Sequence, residues 1–459
     1  MHLHILGLSG TFMSALAILA RVAGFKVTGS DAQCYPPISD LLKARGISWT
    51  EGYEDCTDAL KADCVIVGNA LKRGMPVIEK ILDQNKPYTS GPEWLAKNLL
   101  AKRRVLAVAG THGKTTTTSM LALILDYANL KPGFLIGGVS SNFGTSARLG
   151  EGPWFVIEAD EYDSAFFDKR PKFMHYRPEI AILNNLEFDH ADIYPSLEAI
   201  QQQFHYLLRT IPPSGLIIKP RDDVALNQVL LKGRYSHLEE IACSGDATWC
   251  AQLLDDSGQA FQVRHQGQLV AEVRWSLIGR FNVENGLAAI AASARAGVNP
   301  AISAEALAQF MPVKRRLEVT SERYGITVYD DFAHHPTAIR KTIDALKQRG
   351  RHQRVIVILE FASYTMRTGV HKEAMASALE SASLVYLLNK CDFSLVDIEK
   401  NCKAPVHILS SVAEIIDAVL SKVQSGDAVL VMSNRGFENI HLRLAEGIDL
   451  QYSKVKGAG

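Results

Sequence analysis

The residues best suited to chemistry stand in one run, Val105-Leu-Ala-Val-Ala-Gly110-Thr111-His112-Gly113-Lys114-Thr115-Thr116. An apolar stretch that reads as a strand meets a glycine turn, then Gly-Lys-Thr, then a helical pattern. Glycines let backbone N–H groups approach phosphate oxygens, and a helix N-terminus adds a favourable dipole. In such a loop Lys114 bridges the terminal phosphates of a nucleotide and the Thr115 hydroxyl reaches Mg²⁺. The general P-loop places four residues between its glycines, whereas two separate Gly110 from Gly113 here. The alternative is a tight strand–helix turn that merely contains a lysine.

Other strand ends carry groups that suit the same chemistry. Glu158 closes an apolar run and offers Mg²⁺ a hard oxygen. Asp160 and Glu161 are alternatives, and a solvated strand-end carboxylate is the plainer reading. His190 follows a second apolar run after a short loop. Asn282 and Asn285 offer amides suited to adenine or ribose edges, or else cap a helix over 285–296. Arg316 is a candidate bidentate clamp on a terminal phosphate, with Arg315 the alternative. Asp331 and His335 begin a further unit that must close over the site, where Asp331 would meet the ATP ribose or orient a lysine.

Short apolar runs, strands buried on both faces, recur at 3–6, 26–28, 64–67, 105–109, 155–157, 180–183, 326–329, 355–359, 384–388 and 429–432. Helical stretches lie between many of them, as at 12–23, 115–127, 285–296 and 337–346. The alternation predicts an α/β protein with largely parallel sheets. Boundaries near 97–104 and 312–316 divide it into 1–100, 101–312 and 313–459. The stretch 233–275, short and alternating with Gly and Asp punctuation, is expected to form antiparallel strands. The polar tail 454–459 is expected to fray.

At 459 residues with 47% hydrophobic and 21% charged, the chain has an ordinary globular composition, which excludes disorder, collagen and coiled coil. Lys plus Arg and Asp plus Glu are 49 each, so there is no basic excess to bind nucleic acid. Seven cysteines without a C-x-x-C pair disfavour a disulfide framework or zinc ribbon and suit a reducing cytoplasm. Residues 1–20 hold no charged side chain. They lack a positive leader and read as strand, glycine turn and helix, so no membrane span is expected. That unit, Gly7-Leu-Ser-Gly10-Thr11-Phe-Met13, with Ser30-Asp31 ending the next strand, has a Rossmann-like layout, but Met13 replaces the third glycine.

The shortened loop Gly110-Thr-His-Gly-Lys-Thr resembles that of the Mur ligase family, ATP-dependent amide-forming enzymes of cell-wall synthesis. The resemblance spans nearly the whole chain. It takes in Glu158-Ala-Asp-Glu161-Tyr-Asp163, Asn184-Asn-Leu-Glu187-Phe-Asp-His190, Gly279-Arg-Phe-Asn282-Val-Glu-Asn285, Arg315-Arg316 and Tyr329-Asp-Asp331-Phe-Ala-His334-His335-Pro336. It implies three domains: a Rossmann-like N-terminal domain for a UDP-sugar, a central P-loop domain for ATP and a Rossmann-like C-terminal domain for the amine.

It also implies ATP and Mg²⁺, with Lys114, Glu158 and His190 in the chemistry, and with Thr115, Glu158 and His190 at metal. Gly110, Thr111, His112, Gly113, Thr116, Asn282, Asn285, Arg316, Asp331 and His335 would line ATP. Gly7, Gly10, Thr11, Met13, Ser30 and Asp31 would face the UDP-sugar. The histidine pair is similar to the branch acting on UDP-N-acetylmuramate. The strings 161–169 and 185–192 are most similar to the branch that recycles intact L-alanyl-γ-D-glutamyl-meso-diaminopimelate, the alternative acceptor being L-alanine. Ser363, Arg367, Lys372 and Arg435 are candidates to meet the peptide carboxylates. Relatives commonly show E-P-R-S-N-T-M where this chain has Glu360-Phe-Ala-Ser-Tyr-Thr-Met366. Several members carry a carbamylated lysine on the helix after the histidine; residues 196–209 contain no lysine.

The implied reaction phosphorylates a carboxylate, and an amine then displaces the phosphate. Bringing the carboxylate to the γ-phosphate costs about 4 kcal/mol per unit-charge repulsion at 4 Å and an effective dielectric near 20, which Lys114 and Mg²⁺ would offset. An oxidoreductase would need the missing third glycine. A P-loop switch or transport ATPase would leave the acidic cluster and His190 without a role.

Overall fold

The computed structural model describes residues 1–36 and 38–456. Three large β-sheets follow one another along the chain, each packed with helices, in the α/β class that the alternation predicts, and a two-stranded antiparallel sheet joins Asp163–Ala165 to Asp168–Pro171. The first sheet has five parallel strands in the order Ser48–Glu51, Lys26–Asp31, His2–Leu6, Cys64–Val67 and Tyr88–Ser90. The charge-free opening of the chain supplies its central strand and the buried helix Thr11–Val22.

The middle sheet has ten strands. Its parallel centre holds Arg104–Ala109 between Ile180–Leu183 and Trp154–Glu158. Alternate side chains of that central strand enter two cores: Val105, Ala107 and Ala109 on one face, Leu106 and Val108 on the other. Burial on both faces explains the continuous apolar run.

One expectation is corrected in this sheet. The strand His237–Ala242, within the stretch expected to be antiparallel, runs parallel to both Leu216–Pro220 and Trp249–Leu253. Within that stretch only Trp249–Leu253, Ala260–His265 and Gln268–Arg274 pair antiparallel. Polar residues in His237–Ala242 report its half-exposed faces, and exposure is independent of strand direction.

The third sheet has six strands in the order Glu318–Arg323, Ile326–Asp331, Asp427–Met432, Arg354–Glu360, Leu384–Leu388 and Val406–Leu409, with only the first antiparallel to its neighbour. The last helix, Ile440–Lys456, extends into the segment expected to fray; 457–459 lie outside the described residues. No described helix is long and apolar enough to cross a membrane, and all seven cysteines are free thiols.

Parallel strands all end on one side, so loops after adjacent strands converge there. The carboxyl ends of Arg104–Ala109, Trp154–Glu158 and Ile180–Leu183 bring together the glycine loop, Glu158 and Asn184. The third domain docks against this same edge: Ala191 N donates to Thr365 Oγ1 at 3.1 Å and Thr337 Oγ1 donates to Glu187 Oε1 at 3.0 Å.

Candidate active site

The glycine loop is fixed by its neighbours. Gly113, with φ of +81°, caps the helix Lys114–Tyr127 in the left-handed region. A Cβ there would stand 2.5 Å from Asn285 Oδ1 and 2.8 Å from Asn184 Nδ2, so glycine is required on both conformational and steric grounds. Gly110 packs against Asn184 and the Asn185 carbonyl. The Asn185 amide clamps the loop at His112, accepting from its N at 2.8 Å and donating to its O at 3.1 Å. Asn184 Nδ2 donates to Thr117 Oγ1 at 2.9 Å and lies 3.3 Å from Asn285 Oδ1. The pair Asn184–Asn185 is thus the support of the loop, a role that the sequence pattern alone does not assign.

Lys114 is buried, and its Nζ donates to Gly110 O at 2.7 Å and to Glu161 Oε2 at 2.9 Å. Burial opposes its charge, but Glu161, Asp160 and Glu158 together hold the ammonium above the usual lysine range. Thr115 Oγ1 donates to Glu158 Oε2 at 3.0 Å, and Gly137 N donates to the same oxygen at 2.8 Å. Burial pushes the Glu158 carboxyl up, with Lys114 pulling against it. A side chain at Gly137 would collide with that carboxylate. His190 Nε2 meets Glu161 Oε1 at 2.9 Å. Burial disfavours its charge, yet the Glu161 hydrogen bond and negative charge raise it above the ordinary histidine value. Asp160 is ion-paired to the buried Lys172 at 2.7 Å. The three acids therefore have separate partners: Glu158 the threonine, Asp160 Lys172, and Glu161 the loop lysine and the histidine.

From the third domain Arg316 reaches across to Thr115 Oγ1 at 3.2 Å, its guanidinium 4.7 Å from the Phe332 ring centroid. Arg315 is committed elsewhere, to Asp330 Oδ2 at 3.1 Å and to the carbonyls of Ser433 and Arg435. Asp331 accepts from Leu317 N at 2.6 Å and Ala333 N at 2.8 Å. It holds the turn that presents Arg316, and no lysine is among its hydrogen-bond partners. Asn285 lies one and a half turns inside the helix Arg280–Arg295, whose cap is Gly279, so the capping alternative fails.

One cavity of about 330 Å³ gathers these groups. Thr111, His112, Gly113, Lys114, Thr115 and Thr116 line one wall. Glu158 and His190, Asn282 and Asn285, and Arg316, Asp331 and His335 line the others. Gly110 lies behind the wall, supporting the loop.

The residues assigned to other ligands lie apart from this cavity. In the first domain Gly7 has φ of +80° and Gly10 caps the helix that starts at Thr11. Asp31 Oδ2 accepts from Ser9 N at 2.7 Å and so holds the glycine turn. Ser30 points inward to His4 Nε2 at 3.0 Å, and Met13 is buried. A Cβ on Gly91 would sit 3.0 Å from the Met13 sulfur, so Gly91 makes room for the side chain that replaces the third glycine. In the third domain Ser363 caps the short helix Tyr364–Arg367, and Arg367 pairs with Asp392 at 3.1 Å on the surface. Lys372 and Arg435 are exposed.

A P-loop cavity built on a parallel sheet edge and roofed by a second α/β domain defines a nucleotide-dependent enzyme whose third domain completes the site. The comparisons give the class a family. The Mur ligase family catalytic domain matches residues 2–103, the Mur ligase middle domain 108–293 and the Mur ligase glutamate ligase domain 315–435. The chain is 49% identical, over 98% of both chains, to the UDP-N-acetylmuramate–L-alanyl-γ-D-glutamyl-meso-2,6-diaminoheptandioate ligase of Escherichia coli K12. It is 34% identical, over 84% of both chains, to a UDP-N-acetylmuramate–L-alanine ligase of Roseiflexus sp. RS-1. The crystal structure of a murein peptide ligase from Psychrobacter arcticus 273-4 matches with a TM-score of 0.75 and 44% identity, covering 97% of this chain and 98% of that one. The chain belongs to the Mur ligase family.

Proposed function

We propose that this enzyme uses ATP to join L-alanyl-γ-D-glutamyl-meso-diaminopimelate to the lactyl carboxylate of UDP-N-acetylmuramate, in the cytoplasm and as part of peptidoglycan recycling. The observation that carries the chemistry is the convergence of Lys114, Thr115, Glu158, His190 and Arg316 on one cavity between two domains. The full-length likeness to the Escherichia coli tripeptide ligase supports the acceptor. Lower identity and coverage leave free L-alanine as the weaker reading.

The residues present fit a magnesium–nucleotide complex. Glu158 and Thr115 offer hard oxygens side by side, and the turn at Gly113 places the N-terminus of the helix Lys114–Tyr127, with its unpaired N–H groups, where phosphate would bind. His190 is the candidate ligand for a second ion. Bound Mg²⁺ would neutralise phosphate charge. Lys114 and Arg316 line the cavity from two domains, Arg316 at the Thr115 hydroxyl, and together would grip the transferred phosphoryl group. The lactyl carboxylate oxygen attacks the γ-phosphorus and ADP leaves, giving an acyl phosphate. The peptide amine then attacks the carbonyl carbon, phosphate departs, the C–N bond forms and the amine loses a proton. Because Arg316 comes from the third domain, the site is complete only when that domain is docked.

The glycine-rich turn Gly7–Thr11 would bind the UDP diphosphate, its geometry held by Asp31. Phosphate release from ATP, Mg²⁺ and UDP-N-acetylmuramate tests the reading, with tripeptide compared against L-alanine. Release with tripeptide is expected. Release with L-alanine alone would transfer the enzyme to the biosynthetic reaction, and silence with both would remove the acceptor assignment.

A further inference from the structure

Outside the proposed magnesium ligands, a second set of donors spans the same domain boundary. Glu187 Oε2 lies 2.9 Å from His112 Nε2 and 3.3 Å from His335 Nδ1. The ligand atoms of the three residues all fall within 4.8 Å of one another. His112 belongs to the phosphate loop, Glu187 to the loop after Ile180–Leu183, and His335 to the third domain. The second Glu187 oxygen takes the Thr337 hydroxyl at 3.0 Å.

The tautomer of His335 makes this contact unusual. Its Nε2 faces the Phe188 carbonyl at 3.3 Å. A carbonyl only accepts, so Nε2 carries the proton. Its Nδ1 takes the Thr337 amide at 3.3 Å as a helix cap, and an accepting nitrogen is bare. That bare nitrogen faces a carboxylate oxygen at 3.3 Å, with two lone pairs opposed and no proton between them. A cation resolves the conflict and takes the Nδ1 lone pair from the long Thr337 contact. An imidazole bound to metal through one nitrogen while its other N–H meets a backbone carbonyl is the usual arrangement of a ligating histidine.

We infer that His112, Glu187 and His335 form a site for a divalent transition-metal ion of the zinc type, distinct from the oxygen-rich magnesium site at Glu158 and Thr115. Two imidazoles and one carboxylate suit Zn²⁺ and its neighbours, whereas Mg²⁺ prefers oxygen. The ion clasps the third domain to the phosphate loop, since a ligand that needs both domains together favours their docked arrangement.

The test uses the full-length protein stripped with chelator and dialysed against Zn²⁺ in excess Mg²⁺, with bound zinc measured by atomic absorption and located by anomalous scattering at the zinc edge. Wild type is expected to hold one zinc at the His112–Glu187–His335 position. Glu187→Gln and His112→Ala are expected to weaken that binding by roughly tenfold or more, and His190→Ala to keep it. Substitution with Co²⁺ should give a visible spectrum without the strong near-ultraviolet thiolate band that binding at the free cysteines would produce. His335→Ala also removes a helix cap, so it counts only with an unchanged circular dichroism spectrum. Absence of zinc at the site, equal retention by Glu187→Gln and His112→Ala, or a thiolate band with zinc at cysteine would overturn the inference.

Discussion

Glu161 holds Lys114 in a buried ion pair of 2.9 Å, with the side chains 3% and 11% exposed. The same carboxylate meets His190 through its other oxygen at 2.9 Å. The loop cation is thereby oriented and its charge compensated by a carboxylate, which phosphate oxygens would replace in the proposed nucleotide complex. Lys114→Ala removes the cation and leaves Glu161 facing incoming phosphate. Turnover is expected to fall by at least roughly a hundredfold to a thousandfold, the range seen when one transition-state donor is lost. UDP-N-acetylmuramate affinity, measured by calorimetry, is expected to stay near wild type because its proposed turn lies in the first domain. Loss of both would refute the division of ligands between domains.

Gly113→Ala puts a methyl group where Asn285 Oδ1 and Asn184 Nδ2 already stand, at a φ that L side chains avoid. The loop must move or the two asparagines must part. The conformational cost alone is about 1–2 kcal/mol, and the collision adds to it. ATP affinity should drop sharply, while the circular dichroism spectrum and UDP-sugar binding persist. ATP binding as tight as wild type would show that the loop relaxes freely.

Much of this candidate site was legible because its residues sit at strand ends. Lys114, Thr115, Glu158 and His190 follow apolar runs, and parallel pairing carries those ends to one edge. What the local pattern hid was pairing between distant side chains. Glu161 and Glu158 are three residues apart, yet one meets Lys114 and His190 while the other meets Thr115 and Gly137. No spacing rule separates them, since both belong to one acidic string. Strand Gly133–Ser140 escaped because its glycines, including Gly137 beneath Glu158, depress strand propensity where close packing needs them. Asn285 was ambiguous because capping depends on where the helix begins, and Gly279 starts it earlier than the apolar pattern implied.

Arg316 is the residue through which docking of the third domain registers at the phosphate loop. Its guanidinium is half-buried, bonded to Thr115 Oγ1 at 3.2 Å and stacked near Phe332. Burial pulls its pKa down, with Asp331 and Glu158 acting against that. Arg316→Lys keeps a charge but loses the planar fork and the ring contact. Its kcat should fall by roughly tenfold to a hundredfold, and that of Arg316→Ala by more. Steady-state kinetics should show the loss in kcat, with the KM for UDP-N-acetylmuramate little changed. A rise in that KM alone would place Arg316 at the sugar and not at the phosphate.

His4 gives the first domain a dependence on pH that owes nothing to catalysis. It is 1% exposed in the central strand His2–Leu6, with Nδ1 at 2.8 Å from Thr28 Oγ1 and Nε2 at 3.0 Å from Ser30 Oγ. Burial lowers its pKa from 6.5 to about 4. The folded state therefore refuses a proton that the unfolded chain accepts, so stability is full above pH 6.5 and is lost as pH falls toward 4. The gap between those two values corresponds to a loss on the order of 3 kcal/mol. Unfolding of a three-domain chain is not a single transition, so the readout is amide exchange of His2–Leu6, corrected for intrinsic rates. Protection should fall as pH drops from about 6.5 toward about 4 in wild type, and the slope should flatten in His4→Gln at a lower overall stability. Equal pH slopes in the two proteins would mean that His4 is charged in the fold or exposed by a local opening.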